Sequence, residues 1–224
     1  MAKRQVPSHK PSKLPKHRPG PEGGVRDRNR QDTLRRLADA GLALFLAEGT
    51  AAVSIDDIVE ATGIAKGSFY RYVSDKAELV GLIIGGVAAE VIQALDRCEH
   101  ALQSARRDKL AATYLELALE LAAVVAREPA RVLLYLQEAR APRGGARGAI
   151  HALADQLTAK TIALTEIARD HRLIREVDPR IAALTVLGAI DSILFAYLRD
   201  RGGVIDAAIV TGELVAIIVD GIGR

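Results

Sequence analysis

Apolar side chains return every three to four residues along most of this chain. Between residues 28 and 48, Leu34, Leu37, Gly41, Leu44 and Phe45 form one apolar face of a helix at this spacing. Ala and Leu, both good helix formers, dominate the composition, whereas β-branched residues at strand spacing are sparse. The pattern therefore predicts an all-α fold with about nine helices.

Glycines, prolines and capping residues divide the helical pattern into segments. Ser54 followed three residues later by Asp57 predicts a capped helix start, and Ser74 predicts another. Gly49 and Gly63 are predicted to end the helices before them. The predicted helices lie at about residues 28–48, 55–61, 65–73, 74–103, 107–127, 129–140, 147–171, 178–201 and 206–221, with Asp206 capping the last.

The first 27 residues differ in composition from the rest. Residues 1–21 hold five of the eight prolines, and residues 1–30 hold nine Lys/Arg against two Asp/Glu. Such a segment cannot bury enough apolar surface to order itself, so a disordered basic arm is predicted at 1–27. The arm suits a polyanion, because each cation placed on a phosphate releases counterions. A solubilising tail is the alternative interpretation.

Cysteine usage and the N-terminal pattern bear on the compartment. The chain has one cysteine, Cys98, so an intrachain disulfide framework is excluded, as is typical of a reducing cytoplasm. Its simplest role is that of a small buried apolar residue. The basic N-terminus is followed by polar, proline-rich sequence and not by the apolar stretch of a signal peptide. A cytoplasmic protein is predicted.

The most informative segment runs from Ser54 to Lys76. Two short predicted helices separated by a tight turn at Gly63 form a helix-turn-helix, in which the second helix enters the DNA major groove. Phe69, with Ile58 and Ile64, is expected to hold that second helix to the core. The remaining side chains have the chemistry that DNA requires, and we predict DNA contacts from Ser54, Lys66, Gly67, Ser68, Tyr70, Arg71, Tyr72 and Lys76.

This segment resembles the DNA-binding region of the TetR (tetracycline-repressor-like) family of regulators over residues 28–80. The matching positions are Phe45, Gly49, Ser54, Ile58, Gly63, Ile64, Ala65, Lys66, Gly67, Phe69, Tyr70, Tyr72 and Lys76. The resemblance implies phosphate contacts for Ser54, Tyr70 and Lys76, and groove contacts for Lys66 and Ser68. It also implies a backbone or base contact for Tyr72. Arg71 occupies a variable position, so its role rests on its charge alone.

Two positions depart from the family pattern. Val73 replaces the usual Phe, which is expected to thin the packing beneath the second helix. Ala65 stands where Ser or Thr is common, so one capping or phosphate bond is expected to be missing. Taken singly, these side chains also fit an ordinary solvated helix face. Their combination at this spacing favours DNA binding.

Residues 81–224 lack a comparable signature, and the resemblance implies a helical effector-binding and dimerisation domain there. Residues 181–198 are interrupted by one charge, Asp191, and a second apolar segment follows. Two such helices predict a homodimer through about 179–222, although the first could also be a short membrane span. A pocket for a small-molecule effector is predicted among Tyr114, Leu115, Leu119, Leu133, Tyr135, Leu136 and Leu157. Any one of these could instead be ordinary core. The low aromatic and charge content favours an apolar effector.

Catalysis has little support in the sequence. His151 and Asp155 are four residues apart on a predicted helix, but two ligands without a third are more often surface residues than a metal site. Phosphate-loop, nucleophile-elbow and zinc-protease motifs are absent. We therefore predict no enzyme activity, no cofactor and no metal. The main hypothesis is a repressor that binds a palindromic operator as a dimer, and the alternative is a helical ligand-binding protein with a vestigial DNA-binding motif.

Overall fold

The computed structural model describes residues 24–199 and 207–222, and within them the only regular structure is helical. This confirms the predicted all-α fold. The predicted arm at 1–27 lies almost wholly outside the described residues, as does the predicted cap Asp206. The helices of the described part are α1 (Val25–Glu48), α2 (Ile55–Thr62), α3 (Lys66–Phe69), α4 (Lys76–Gln103), α5 (Leu110–Arg127), α6 (Pro129–Glu138), α7 (Gly148–Asp170), α8 (Pro179–Arg199) and α9 (Ala207–Ile222).

Two predicted helix boundaries near the motif were wrong. The helix expected at 65–73 is only the four residues of α3, and residues 70–72 continue as a turn in which the Tyr72 N–H donates to the Phe69 carbonyl at 2.8 Å. The cap of α4 is Asp75 and not Ser74. The Asp75 carboxylate accepts from the Glu78 N–H at 2.8 Å, while the Ser74 N–H donates to the Glu78 carboxylate at 2.6 Å. Both residues are polar and adjacent, so the sequence did not separate them.

Helices α1 to α3 pack against the first half of α4 around a filled core. Leu37, Phe45, Ile58 and Phe69 are fully buried there, and Val73 is 1% exposed. Gly63 ends α2 at a φ of +68°, a left-handed conformation that favours glycine. The predicted anchoring of the second motif helix through Phe69 and Ile58 is confirmed.

Helix α4 connects this N-terminal part to the body of the protein without a break. Its second half packs on α5 and α7, where Leu95, Leu102, Leu110 and Leu164 form another core. The predicted domain boundary at residue 80 falls inside α4. A change in the position of α4 is therefore transmitted along a continuous helix.

A buried carboxylate also joins the two parts. Glu138, at the end of α6 and 4% exposed, accepts from the Thr50 N–H at 2.7 Å and from the Thr50 hydroxyl at 3.0 Å. Its second oxygen also pairs with Arg147, just before α7. Burial works to raise the pKa of Glu138, but these bonds from Thr50 and Arg147 outweigh it and leave that pKa below its ordinary value. The loop after α1 is thus tied to α6 by a charged group.

Candidate nucleic-acid interface and apolar cavity

The start of α2 has the predicted capping box. The Ser54 hydroxyl accepts from the Asp57 N–H at 3.2 Å and donates to the Asp57 carboxylate at 2.7 Å, and the Ser54 N–H donates to that carboxylate as well. These bonds with Ser54 lower the pKa of Asp57. They fix the orientation of α2, which supports α3.

Helix α3 presents its polar side chains to solvent. Phe69 is fully buried, whereas Lys66, Gly67, Tyr70 and Arg71 are exposed, with Tyr70 half exposed. Ser68 is partly buried. A Cβ added at Gly67 would meet no atom within 4 Å, so the surface of α3 next to Gly67 is open. The N-cap residue Ala65 makes no side-chain bond, as its departure from the family pattern predicted.

Lys66 already has an anionic partner on α2. Its Nζ lies 2.7 Å from the Asp56 carboxylate, and this bond raises the pKa of Lys66. The side chains of both residues remain more than half exposed. Surface ion pairs of this kind contribute little stability, so Lys66 can turn to a phosphate at small cost.

Two guanidinium groups lie beside the ring of Tyr72. Arg71 and Arg30 each place Cζ 5.8 Å from the centre of the Tyr72 ring, within cation–π range. An Arg30 N–H also donates to the Arg71 carbonyl at 3.5 Å. Sequence analysis missed Arg30, although it precedes Leu34 by four residues and Leu37 by seven, which places it at the end of the apolar face of α1.

Lys76 has a protein acceptor rather than an open position. Its Nζ donates to the Val53 carbonyl at 2.6 Å, which ties the start of α4 to the residue before Ser54. The side chain still has two N–H groups beyond that bond. Its predicted phosphate contact stays a prediction.

A cavity of about 250 Å³ lies in the body of the protein, among α4 to α9. Tyr114, Tyr135, Leu136 and Leu157, four of the seven predicted pocket residues, line it. The prediction was wrong for Leu115, Leu119 and Leu133, which are not among its walls. The α5 wall consists of Tyr114, Leu117, Ala118, Leu121, Ala122 and Val125, and Leu115 and Leu119 are rotated away from that face, 40% and 56% exposed.

Other candidate chemistry has structural partners. Buried His151 has its Nε2 3.1 Å from the Ala141 carbonyl, and Asp155 pairs with Arg143 at 2.5 Å, so they do not share a site. Among the described residues, no group of three metal-binding side chains occurs. Burial raises the pKa of Cys98 to about 12, which keeps its thiol protonated and unreactive at neutral pH.

Two helices of the described part, α4 and α8, are long and apolar enough to span a membrane. Of the apolar stretch of α4, 39% is buried against its neighbours. Only 6% of the apolar stretch of α8 is buried, and Ile181 and Leu184 on it are 68% and 58% exposed. Ile217 on α9 is 66% exposed. The C-terminal helices therefore present an apolar surface that the described residues of this chain do not cover.

Comparison with known proteins agrees with the geometry of the helix-turn-helix. The family model described as bacterial regulatory proteins, tetR family, matches residues 37–83. A curated protein of Mycobacterium tuberculosis, assigned as a mycofactocin biosynthesis transcriptional regulator, is 41% identical over 49 residues. That match spans 22% of this chain and about a quarter, 25%, of the relative's length.

Several solved structures share the fold of the whole described chain. NalD of Pseudomonas aeruginosa, the secondary repressor of a multidrug efflux pump, has a TM-score of 0.69 at 19% identity, covering 88% of this chain and 98% of that one. SmeT, an efflux-pump repressor of Stenotrophomonas maltophilia, has a TM-score of 0.64 at 20% identity and coverage of 88% and 93%. FadR of Bacillus subtilis in complex with stearoyl-CoA has a TM-score of 0.62 at 17% identity and coverage of 84% and 98%.

Proposed function

We propose that this chain, whose residues 37–83 match the tetR family of bacterial regulatory proteins, is a cytoplasmic repressor of that family that binds a near-palindromic operator as a homodimer. A small-molecule effector in the apolar cavity releases it from DNA. The observation behind the proposal is that α3 exposes its polar residues on a domain whose core is filled and whose other helices brace it.

The charge distribution around α3 supports DNA as the partner. Lys66, Arg71 and Arg30 provide three cations around α3, while Asp56 and Asp57 of α2 are engaged in the ion pair with Lys66 and the cap at Ser54. Tyr70 adds an exposed hydroxyl suited to a phosphate oxygen. Backbone phosphates and groove edges need this combination of charge and short-range donors.

The exposed faces of α8 and α9 support the dimer. Ile181, Leu184 and Ile217 would lose their contact with water if a second copy packed its own α8 and α9 against them in a four-helix arrangement. A two-fold dimer presents two α3 helices, and this geometry requires an operator with related half-sites. Membrane insertion of α8 is disfavoured because the helix carries Asp191, which pairs with Arg140 of the segment after α6.

The effector acts through helices that reach both the cavity and the DNA-binding part. Val132, Tyr135 and Leu136 of α6 line the cavity, and Glu138 at the end of the same helix binds Thr50. Val87 and Val91 of α4 line it too, while Leu79 and Ile83 of α4 are buried in the N-terminal core. An effector that binds one position of α4 and α6 more tightly than another shifts the spacing of the two α3 helices.

Binding to the DNA upstream of the protein's own coding sequence tests the proposal. We expect a retarded band in a gel-shift assay that weakens as salt is raised. Lys66→Ala and Tyr70→Phe are each expected to weaken binding about tenfold, which is about 1.4 kcal/mol. Lys109→Ala removes an exposed lysine far from α3 and is expected to have no effect.

The contrary outcomes are distinct. If neither this fragment nor a pool of genomic fragments is retained, the chain is a helical ligand-binding protein and its motif is vestigial. If DNA binds but both variants bind as the wild type does, the contacts assigned to α3 are wrong. Recovery of the protein in the membrane fraction would contradict the packing assigned to α8.

A further inference from the structure

We infer that the effector is an apolar molecule with a single positive charge, and that Asp191 is the residue that pairs with this charge. The inference rests on the proposed function, because it concerns the ligand of the same cavity. It starts from the composition of the cavity walls. Of the twenty-five described residues that line the cavity, Asp191 is the one with a charged side chain, and nineteen are aliphatic.

The size of the cavity fits an organic molecule. Its volume of about 250 Å³ exceeds that of a cavity of about 150 Å³ that holds benzene in another protein. An aliphatic cavity of this size gains free energy by burying a hydrocarbon ligand, and its few polar groups decide the orientation and class of that ligand. The class therefore depends on Asp191 and the hydroxyl groups around it.

Asp191 is poorly compensated by the described residues around it. Its only ion pair among the described residues is with Arg140, whose nitrogen lies 3.7 Å from the carboxylate, beyond hydrogen-bonding distance. The Arg140 side chain is 67% exposed, whereas that of Asp191 is 27% exposed. Burial raises the pKa of Asp191 despite Arg140. A carboxylate that has lost much of its water without gaining a close partner favours a cation in contact with it.

Two tyrosines provide further groups that favour a cation. Tyr114 and Tyr135 line the cavity, and burial raises the pKa of both phenols, so both stay neutral at physiological pH. The charge of Asp191 contributes to the raised pKa of Tyr135, and both residues line the same cavity. Aromatic rings attract a cation through their faces, most of all a quaternary ammonium group. A carboxylate or phosphate would meet Asp191 with no Lys, Arg or His among the described lining residues.

Competition with Arg140 connects this site to the DNA-binding part. Arg140 follows α6 by two residues, and Glu138 at the end of α6 holds Thr50. A ligand cation that pairs with Asp191 displaces Arg140. The segment just after Glu138 then loses its contact with α8. Binding therefore weakens the link between α6 and the loop after α1.

Three probes with chains of ten carbons, counting the carboxyl carbon of decanoate, test the sign of the charge. Decyltrimethylammonium, decanoate and decanol, each below its micelle concentration, compete with the neutral fluorophore N-phenyl-1-naphthylamine for the full-length protein. We expect the cation to displace the fluorophore at a concentration at least about tenfold lower than decanoate requires, a difference of about 1.4 kcal/mol. If decanoate binds as tightly as the cation, or if no probe binds by displacement or by calorimetry, the inference is overturned.

Two substitutions in the same ion pair are expected to have opposite effects. Asp191→Asn should weaken binding of the cation about tenfold and leave decanol unchanged. Arg140→Gln should tighten binding of the cation severalfold, because it removes the competing guanidinium. A purely structural role for the pair would weaken binding of all three probes in both variants, and that result contradicts the inference. Thermal unfolding of each variant reports whether it folds.

A separate measurement distinguishes this inference from the proposed function. Operator binding is followed by fluorescence anisotropy, with and without decyltrimethylammonium. Release of DNA by the cation at concentrations that leave the Asp191→Asn complex intact supports both. Operator binding together with tighter decanoate binding overturns the inference alone. Failure to bind any DNA, with the cation still preferred over decanoate, overturns the proposed function and leaves the charge preference standing.

Discussion

The N-terminal part and the body of this chain differ in how completely their side chains fill the space between helices. Leu37, Phe45, Ile58 and Phe69 leave no exposed surface in the N-terminal core, and Val53 and Val73 leave 1% each. In α8, by contrast, only Ala182 and Ala183 are buried, and its larger apolar residues are partly or mostly exposed. The N-terminal part has a completely packed core, whereas the body leaves apolar surface exposed around a cavity and on its C-terminal helices.

The difference agrees with the role proposed for each part. A recognition surface must keep its side chains in one arrangement, and a filled core around Phe69 achieves this. A part that binds a ligand and a second copy must keep apolar surface available for both. Substitutions in the N-terminal part should therefore lower the free energy of unfolding. Substitutions in the body should weaken dimerisation or ligand binding.

The largest effect is expected from emptying the N-terminal core. Phe69→Ala removes a fully buried ring, and such a change costs about 3–5 kcal/mol of the free energy of unfolding. Urea unfolding at one fixed protein concentration measures it, because dimerisation contributes to apparent stability. The control Leu82→Ala, at a residue 49% exposed, should cost less than about 1 kcal/mol. Equal losses in the two variants would contradict the contrast between filled and open regions.

The next effect concerns the buried link between the two parts. Glu138→Gln leaves Arg147 without its charged partner and should cost about 2 kcal/mol at pH 7. Because the pKa of Glu138 is lowered in the folded protein, its charge stabilises the fold above the ordinary pKa of glutamate, about 4.3. That stabilisation is lost as the pH falls through the lower folded pKa.

Unfolding of the wild type and of Glu138→Gln between pH 3 and pH 7 measures this link. The difference between them should be largest at pH 7 and should shrink below about pH 4. Glu166→Gln, at an exposed glutamate of α7, serves as the control with little effect. A difference that stays constant with pH would mean that the charge of Glu138 does not contribute.

A smaller effect is expected from the open face of α8. Leu184→Glu places a charge where a second copy is proposed to pack, and sedimentation equilibrium should show a shift from dimer towards monomer. Operator affinity should fall about tenfold or more, about 1.4 kcal/mol, because two linked half-sites become independent. Leu82→Glu, at a residue of similar exposure on α4, is the matched control and should remain dimeric. Dimerisation unaffected by Leu184→Glu would place the interface elsewhere.

The smallest effect is expected at Arg30. Arg30→Ala removes one of the two guanidinium groups beside Tyr72 and should weaken operator binding about threefold, which is less than 1 kcal/mol. If Arg30 binds a phosphate, the slope of log affinity against log salt should become shallower by about one. Lys109→Ala should leave the slope unchanged. An unchanged slope in Arg30→Ala would mean that Arg30 only supports Tyr72.

Local signals in the sequence predicted the helices and most of the polar surface of α3. The capping box at Ser54, the stop at Gly63 and the burial of Phe69 all depend on residues within a turn or two of one another. The boundary between Ser74 and Asp75 could not be predicted, because either residue can cap a helix and only the position of Glu78 decides between them. The early end of α3 similarly depends on how Phe69 and Tyr72 pack.

Contacts between distant residues could not be predicted. Glu138 meets a residue 88 positions away, and Arg30 meets Arg71 and Tyr72 about forty positions away. For the cavity, sequence analysis selected Tyr114, Tyr135, Leu136 and Leu157, but it also selected Leu115 and Leu119, which face away. Periodicity shows that a helix has an apolar face, but where a helix has apolar residues around most of its circumference, it does not show which part faces inwards.

The sequence by itself determined the helical fold, the resemblance of the N-terminal part to the TetR family and the residues that α3 exposes, because capping, helix periodicity and a motif at fixed spacing are local properties. The tertiary structure decided which apolar residues surround the cavity, that Asp191 is its one charged wall residue among those described, and that Glu138 joins α6 to the loop after α1. These depend on how helices far apart in the chain pack together, and the energy of a buried charge depends on every group around it.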